Sequence, residues 1–145
     1  MHIRPADSAL DTPTPLRLKV ERLEDELRKF PQLDIEPQHT FGPGFYARTL
    51  TLPAGTVLTG KVHATEHIFF VSKGDITLVT DDGVRRVGAG FQAVCRPGMK
   101  RAGICHTEVV VTNVHITDLA DLVELEAALI VPDALEAPVV REVLA

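Results

Sequence analysis

The sequence has no long apolar run. No stretch approaches the roughly 20 residues that carry a helix across a bilayer, and no membrane partner is expected. It has no surplus of positive charge either. Lys and Arg number 15 against 20 Asp and Glu, for a net charge of −5. A nucleic-acid footprint needs clustered bases, and pairs such as Lys100-Arg101 are too short to supply one. Cysteine is scarce. Cys95 and Cys105 lack CxxC spacing, and the expectation is two reduced thiols in a cytosolic protein. The opening residues Met1 to Pro5 carry no apolar core of a signal peptide. There is no P-loop, no Rossmann glycine pattern, no nucleophile elbow and no Ser-His-Asp logic. Cys105-His106 is not a dyad by adjacency, because neighbours on a strand point apart.

What is there suits one folded domain. The chain has 145 residues, 45% hydrophobic and 24% charged, with no low-complexity run. Residues 1–15 read as an extended arm holding three prolines. Residues 16–40 read as a helix and connector. In that helix, Leu16, Val20, Leu23, Leu27 and Phe30 recur in steps of 4, 3, 4 and 3, the spacing of a seam. Glu24 with Arg28 and Asp25 with Lys29 stand four apart, acid first. Pro31 stops the helix. The helix packs either on its own barrel or on a neighbouring subunit.

Residues 41–116 change texture. Short β-type runs are predicted at 45–52, 56–62, 68–72, 76–80, 84–87, 92–96 and 108–115. Turn residues separate most of them, and Asp82-Gly83 is a hairpin signal. No helical period interrupts them, so an all-β sandwich or barrel is expected rather than a parallel βαβ sheet. Residues 117–145 read as a second helix capped by Thr117, then an apolar tail.

The most informative segment runs from Gly55 through Lys61-Val62-His63-Ala64-Thr65-Glu66-His67 to Gly74. It resembles the first motif of the cupins, in which two histidines and a glutamate lie between spaced glycines. With Gly55 and Gly74 in register, His63 falls on the second histidine, Lys61 on the first, and His67 on the glutamate. Arg96-Pro97-Gly98-Met99-Lys100-Arg101 is similar to the second cupin motif. There Arg101 stands at the ligand histidine and Cys105 at the asparagine. The resemblance implies an all-β cupin-type jelly-roll barrel with a helix at each end.

Three readings of the barrel mouth stay open. His63, His67 and Glu66 could hold a divalent first-row metal, which needs three or four nitrogen and oxygen ligands and an open position. Lys61 and Arg101 would repel that ion. Alternatively Lys61 and Arg101 form an anion site, with the bidentate fork of arginine. Or the mouth is degenerate, its histidines paired with Glu66 or backbone carbonyls. His106 and His115 bracket the last strand and read as structural. Val109, Val111, Asn113 and His115 share one face by period two.

Blocks from Phe41 to Ile130, among them Phe41-Gly42-Pro43-Gly44-Phe45-Tyr46, Lys100-Arg101-Ala102-Gly103 and Thr117-Asp118-Leu119, are similar to small cupin-like proteins of tailed bacteriophages. That resemblance implies a non-enzymatic, homo-oligomeric virion component. Its partners would be itself and virion proteins such as a major capsid protein. It would be made in the host cytoplasm, with no catalytic residues and no cofactor. The alternatives are a metal-dependent cupin acting on a small molecule, isomerase- or dioxygenase-like, and a host-takeover module holding an anion.

Overall fold

The computed structural model describes residues 15–60, 63–80, 82–129 and 139–141. Residues 1–14 of the arm proposed at 1–15 lie outside the described residues, as does Lys61, and Pro15 belongs to the first helix. The described chain opens with helix α1, Pro15–Leu27. Pro15 sits at the first helical position, where its missing N–H costs nothing. Nine strands follow in a run: β1 (Gln38–Gly42), β2 (Phe45–Leu52), β3 (Thr56–Thr59), β4 (His67–Lys73), β5 (Asp75–Thr80), β6 (Gly83–Gly88), β7 (Gln92–Cys95), β8 (Ala102–Cys105) and β9 (Val109–Ile116). Helix α2 (Leu122–Leu129) and strand β10 (Val139–Arg141) complete it.

The strands form two antiparallel five-stranded sheets, ordered β1-β2-β9-β4-β7 and β10-β3-β8-β5-β6. Side chains of alternate residues face inward. Leu52, Val71, Ile76, Leu78, Val109 and Val111 form the buried core between the sheets. The predicted strands all appear, and β2 has the expected bounds. Three strands were not anticipated. β1 lies in the supposed connector and pairs with β2. β8 bridges β3 and β5. β10 is part of the apolar tail and pairs with β3, so that stretch of the tail is an edge strand of its own barrel.

The two motif glycines have backbone reasons to be glycine. Gly55 and Gly74 adopt φ of 82° and 94°, a region L side chains rarely enter. At Gly74 a Cβ would also strike the carbonyl oxygen of Glu108. It sits beside the register shift between Val71 and Lys73, where β4 leaves β9.

Both helices differ from expectation. The buried face of α1 is Arg17, Val20, Glu24 and Leu27, while Leu23 is exposed. Phe30 lies beyond the helix and is exposed. The seam spacing therefore misassigned the stripe. Glu24 is buried against the barrel, not paired with Arg28. Its Oε2 accepts from Thr59 Oγ1 at 2.6 Å and meets Lys100 Nζ at 2.9 Å. The surface ion pairs are i,i+3 instead: Asp25 with Arg28 and Glu26 with Lys29. Helix α1 thus packs on its own barrel. At the other end, Thr117 does not cap α2. It accepts from Leu119 N in a turn, and the cap is Asp121, whose Oδ1 accepts from Val123 N at 2.8 Å and Glu124 N at 3.4 Å.

Removing one member of a buried ion pair leaves the other charged and unsatisfied. Glu24→Ala is expected to cost about 3–5 kcal/mol in urea unfolding. The double variant Glu24→Met with Lys100→Met should recover most of that loss. Equal destabilisation of the single and double variants would contradict the pairing.

Candidate functional site

The site arises from register. Strand β9 lies between β2 and β4. Arg48 is opposite Asn113, and Asn113 is opposite Phe69. One inward step further, Tyr46 is opposite His115, and His67 is opposite Cys95 on β7. The inward face of these strands is therefore apolar at one end, with Leu52, Val71, Val109 and Val111. At the other end it carries Arg48, Asn113, His67 and His115. His63 joins from the segment after β3. Its carbonyl oxygen accepts from Gly98 N at 3.0 Å, which ties it to the turn preceding Arg101.

Three imidazoles meet there. The ring centroids of His63, His67 and His115 are 4.2, 4.7 and 5.0 Å apart. One ligand nitrogen from each lies within 4.8 Å of the others, so the rings must draw in to meet a common ion at about 2.1 Å. Nδ1 of His63, both nitrogens of His67 and Nδ1 of His115 are buried without a hydrogen-bond partner. Thr65 and Asn113 stand near His67 and favour its charged form, but neither bonds its ring with good geometry. Buried polar atoms left unpaired are rare and costly.

The rings are held neutral. Burial lowers the pKa of His63 well below 6.5, reinforced by His67, His115, Arg101 and Arg48. Burial, then Arg101 and His115, brings His67 to about 4. Burial and then Arg48 bring His115 to about 4. Neutral imidazole is the form that ligates a metal.

Arg101 stands beside the triad, as the motif alignment placed it. Its guanidinium lies 4.2 Å over the Phe69 ring and reaches Asn113 Oδ1 at 3.5 Å. Behind the triad is a cavity of about 270 Å³. Its walls include Arg48, Asn113, Tyr46, Leu58, Ile76 and Leu125. Tyr46 OH is 2.7 Å from His39 Nδ1, and Tyr46 and Leu125 pack together where α2 meets the barrel.

Glu66 is not in the cluster. It is exposed on the turn before β4, because its neighbour His67 takes the inward direction and adjacent residues on a strand alternate. His115, read from sequence as structural, is the third member. Its shared parity with Asn113 was the available signal. His106 stays outside, exposed, with Nε2 2.6 Å from Thr77 Oγ1. Cys105, on the motif asparagine position, is buried in the core. Burial raises its thiol pKa to about 11. Both cysteines are free.

Comparison with solved structures finds barrels of the same kind. An uncharacterised conserved protein with a double-stranded β-helix domain from Klebsiella pneumoniae matches with a TM-score of 0.50. The match has 12% identity and covers 66% of this chain and 90% of that one. The fold is a double-stranded β-helix. KdgF from Halomonas matches at TM-score 0.50 and 15% identity, over 65% of this chain and 91% of that one. The DMSP lyase DddQ from Ruegeria pomeroyi matches at TM-score 0.50 and 18% identity, over 60% of this chain and 49% of that one. At such identities the likeness concerns the fold alone. No protein-family model matches the sequence, and no curated protein matches it. No helix among the described residues is long and apolar enough to cross a membrane.

The lowered pKa values set a pH window. In the unfolded chain the histidines take up protons near 6.5, but His67 and His115 in the folded barrel do so only near 4. Between those values the unfolded state binds more protons, so stability falls as pH falls. The urea midpoint of metal-free protein should drop steadily from pH 6.5 to pH 4. His115→Phe should flatten part of that slope. A midpoint constant across the window would contradict the buried neutral cluster.

Proposed function

We propose that the barrel is a metal-dependent small-molecule site, with a divalent first-row transition metal held by His63, His67 and His115. The observation that carries this is that three buried rings, each with an unpartnered nitrogen, bring one ligand nitrogen apiece within 4.8 Å of the others. A metal ion takes one nitrogen from each ring. Three nitrogen ligands on one side leave positions open for an incoming molecule. Once bound, such an ion supplies Lewis-acid polarisation of an oxygen donor on that molecule.

The chain's own residues do the rest. Burial keeps the imidazoles deprotonated at neutral pH and ready to ligate. Asn113, between Arg48 and Phe69 in the sheet, presents an amide to whatever enters. The apolar wall of Leu58, Ile76 and Leu125 excludes water from the far side of the cavity. The cavity suits a molecule of modest size, below the span of most drug-sized ligand pockets.

The virion reading has no comparable support. The solved-structure likenesses speak for the barrel and carry no phage relationship. Exposed apolar side chains on the outer face of the β4 sheet, such as Ile68 and Val94, name no partner.

Protein purified without chelators and reloaded in turn with zinc, manganese, iron, cobalt and nickel should retain about one ion per chain of at least one metal by elemental analysis. His67→Ala with His115→Ala should weaken that binding by at least tenfold. Glu66→Ala should leave it unchanged. Far less than one ion per chain after every reloading would sink the metal reading.

A further inference from the structure

The cavity contains two arginines, and no Asp or Glu lines it among the described residues. This separates them from most other cations of the barrel, the exposed Arg85 over Phe91 excepted. Lys100 has Glu24, Arg86 has Asp75, Lys73 has Glu108 and Arg96 has Asp82. Arg101 and Arg48 have no ion-pair partner among the described residues. Arg101 is partly compensated by the Phe69 face and the Asn113 carbonyl oxygen. Neither carries a negative charge, and a recessed cation without an anion is costly to keep.

Position gives the two groups a common target. Arg48 lies opposite Asn113 in the sheet, and Arg101 reaches Asn113 from the facing side. Both arginines line the same cavity as His63 and His115. A negative group beside Asn113 would therefore meet two arginine forks next to the triad. The rest of the lining is largely aliphatic, including Leu50, Leu58, Leu78 and Val111.

We infer that the cavity takes a small organic carboxylate, its head held by Arg101 and Arg48 beside the histidine triad and its short apolar body against the aliphatic wall. Planar guanidinium groups match a carboxylate in two-point geometry. An aliphatic body of about six heavy atoms fits a cavity of about 270 Å³. The inference deepens the small-molecule reading proposed above and rests on it. It differs from the metal assignment in which residues carry it.

The test is calorimetric titration of the full chain, metal-free and metal-loaded, with three probes. These are 4-methylpentanoate, its amide 4-methylpentanamide, and inorganic phosphate. The carboxylate should bind at least about tenfold more tightly than the neutral amide, the scale of a charge-assisted hydrogen-bond pair. Arg101→Gln should remove that preference, and Arg101→Lys should restore part of it. His67→Ala with His115→Ala should weaken metal uptake by at least tenfold. Equal binding of acid and amide to wild type overturns the inference, and it does so even if Arg101→Gln fails to fold. Phosphate binding more tightly than the carboxylate overturns the assigned class. Failure of the wild-type protein to take up metal, with its acid preference retained, overturns the metal reading alone.

Discussion

Strand β9 is paired on both edges, and those two registers govern what the barrel interior contains. With Leu52 opposite Val109 and Arg48 opposite Asn113, the inward side chains of β2 and β9 are apolar at one end and polar at the other. The pairing of β4 with β9 extends both halves, adding Val71 to the core and His67 to the polar end. A slip of one residue would turn Asn113 and His115 outward and bring Thr112 and Val114 in. The core and the site are thus fixed by the same hydrogen-bond ladder. The glycine that ends this ladder, Gly74, is packed too closely against Glu108 and Val109 to be anything else.

Burial then decides the chemistry of the polar end. Three imidazoles at 4.2 to 5.0 Å between centroids, with a guanidinium beside them, cannot all be charged away from water. Neutrality is enforced, and it leaves ring nitrogens with lone pairs and no donors to fill them. The histidines thus sit in an environment that disfavours protons and favours a compact cation able to accept several lone pairs at once. The arginines lower the attraction for such a cation. They also provide a reason for an anion to accompany it, so the two features complement each other when a carboxylate lies between them.

Much of the barrel was legible because its signals are local. Alternation and turn residues gave β2 with its observed limits and located one of its two partners, β9, and the spaced glycines pointed to the fold. β1, β8 and β10 were missed because they are short or lie in segments whose β character comes only from the strands they join. The motif spacing found His63, His67 and Arg101. Glu66 was added as a neighbouring carboxylate that the register put on no ligand position, and closeness along a chain carries no information about which way a side chain points. His115 lies 48 positions beyond His67 and joins it through the β4–β9 pairing, which no local pattern encodes. The face it shares with Asn113 was visible in the sequence; what that face meets was not. Helix α1 shows the same limit. Its leucine seam was a sound helix signal, but the barrel it packs on supplied a lysine, and the buried stripe moved to Glu24.

Lys100 and Arg101 are adjacent, and the barrel treats them in opposite ways. Lys100 turns toward α1, where Glu24, itself hydrogen-bonded by Thr59, meets it in a closed, neutralised contact. Arg101 turns into the cavity, where an aromatic face and an amide carbonyl moderate its charge without cancelling it. Both are cations removed from bulk water, so desolvation penalises both, and the fold could have offset both with carboxylates. It places one carboxylate, at the position that fastens the helix to the barrel. The cavity end is left cationic, with nitrogen ligands beside it. Stability alone does not account for that asymmetry, because a structural arginine gains from a permanent partner as Lys100 does. A charge that must be satisfied only when a ligand arrives does account for it. Filling the cavity's anion site with a side chain would remove the reason for a ligand to bind there.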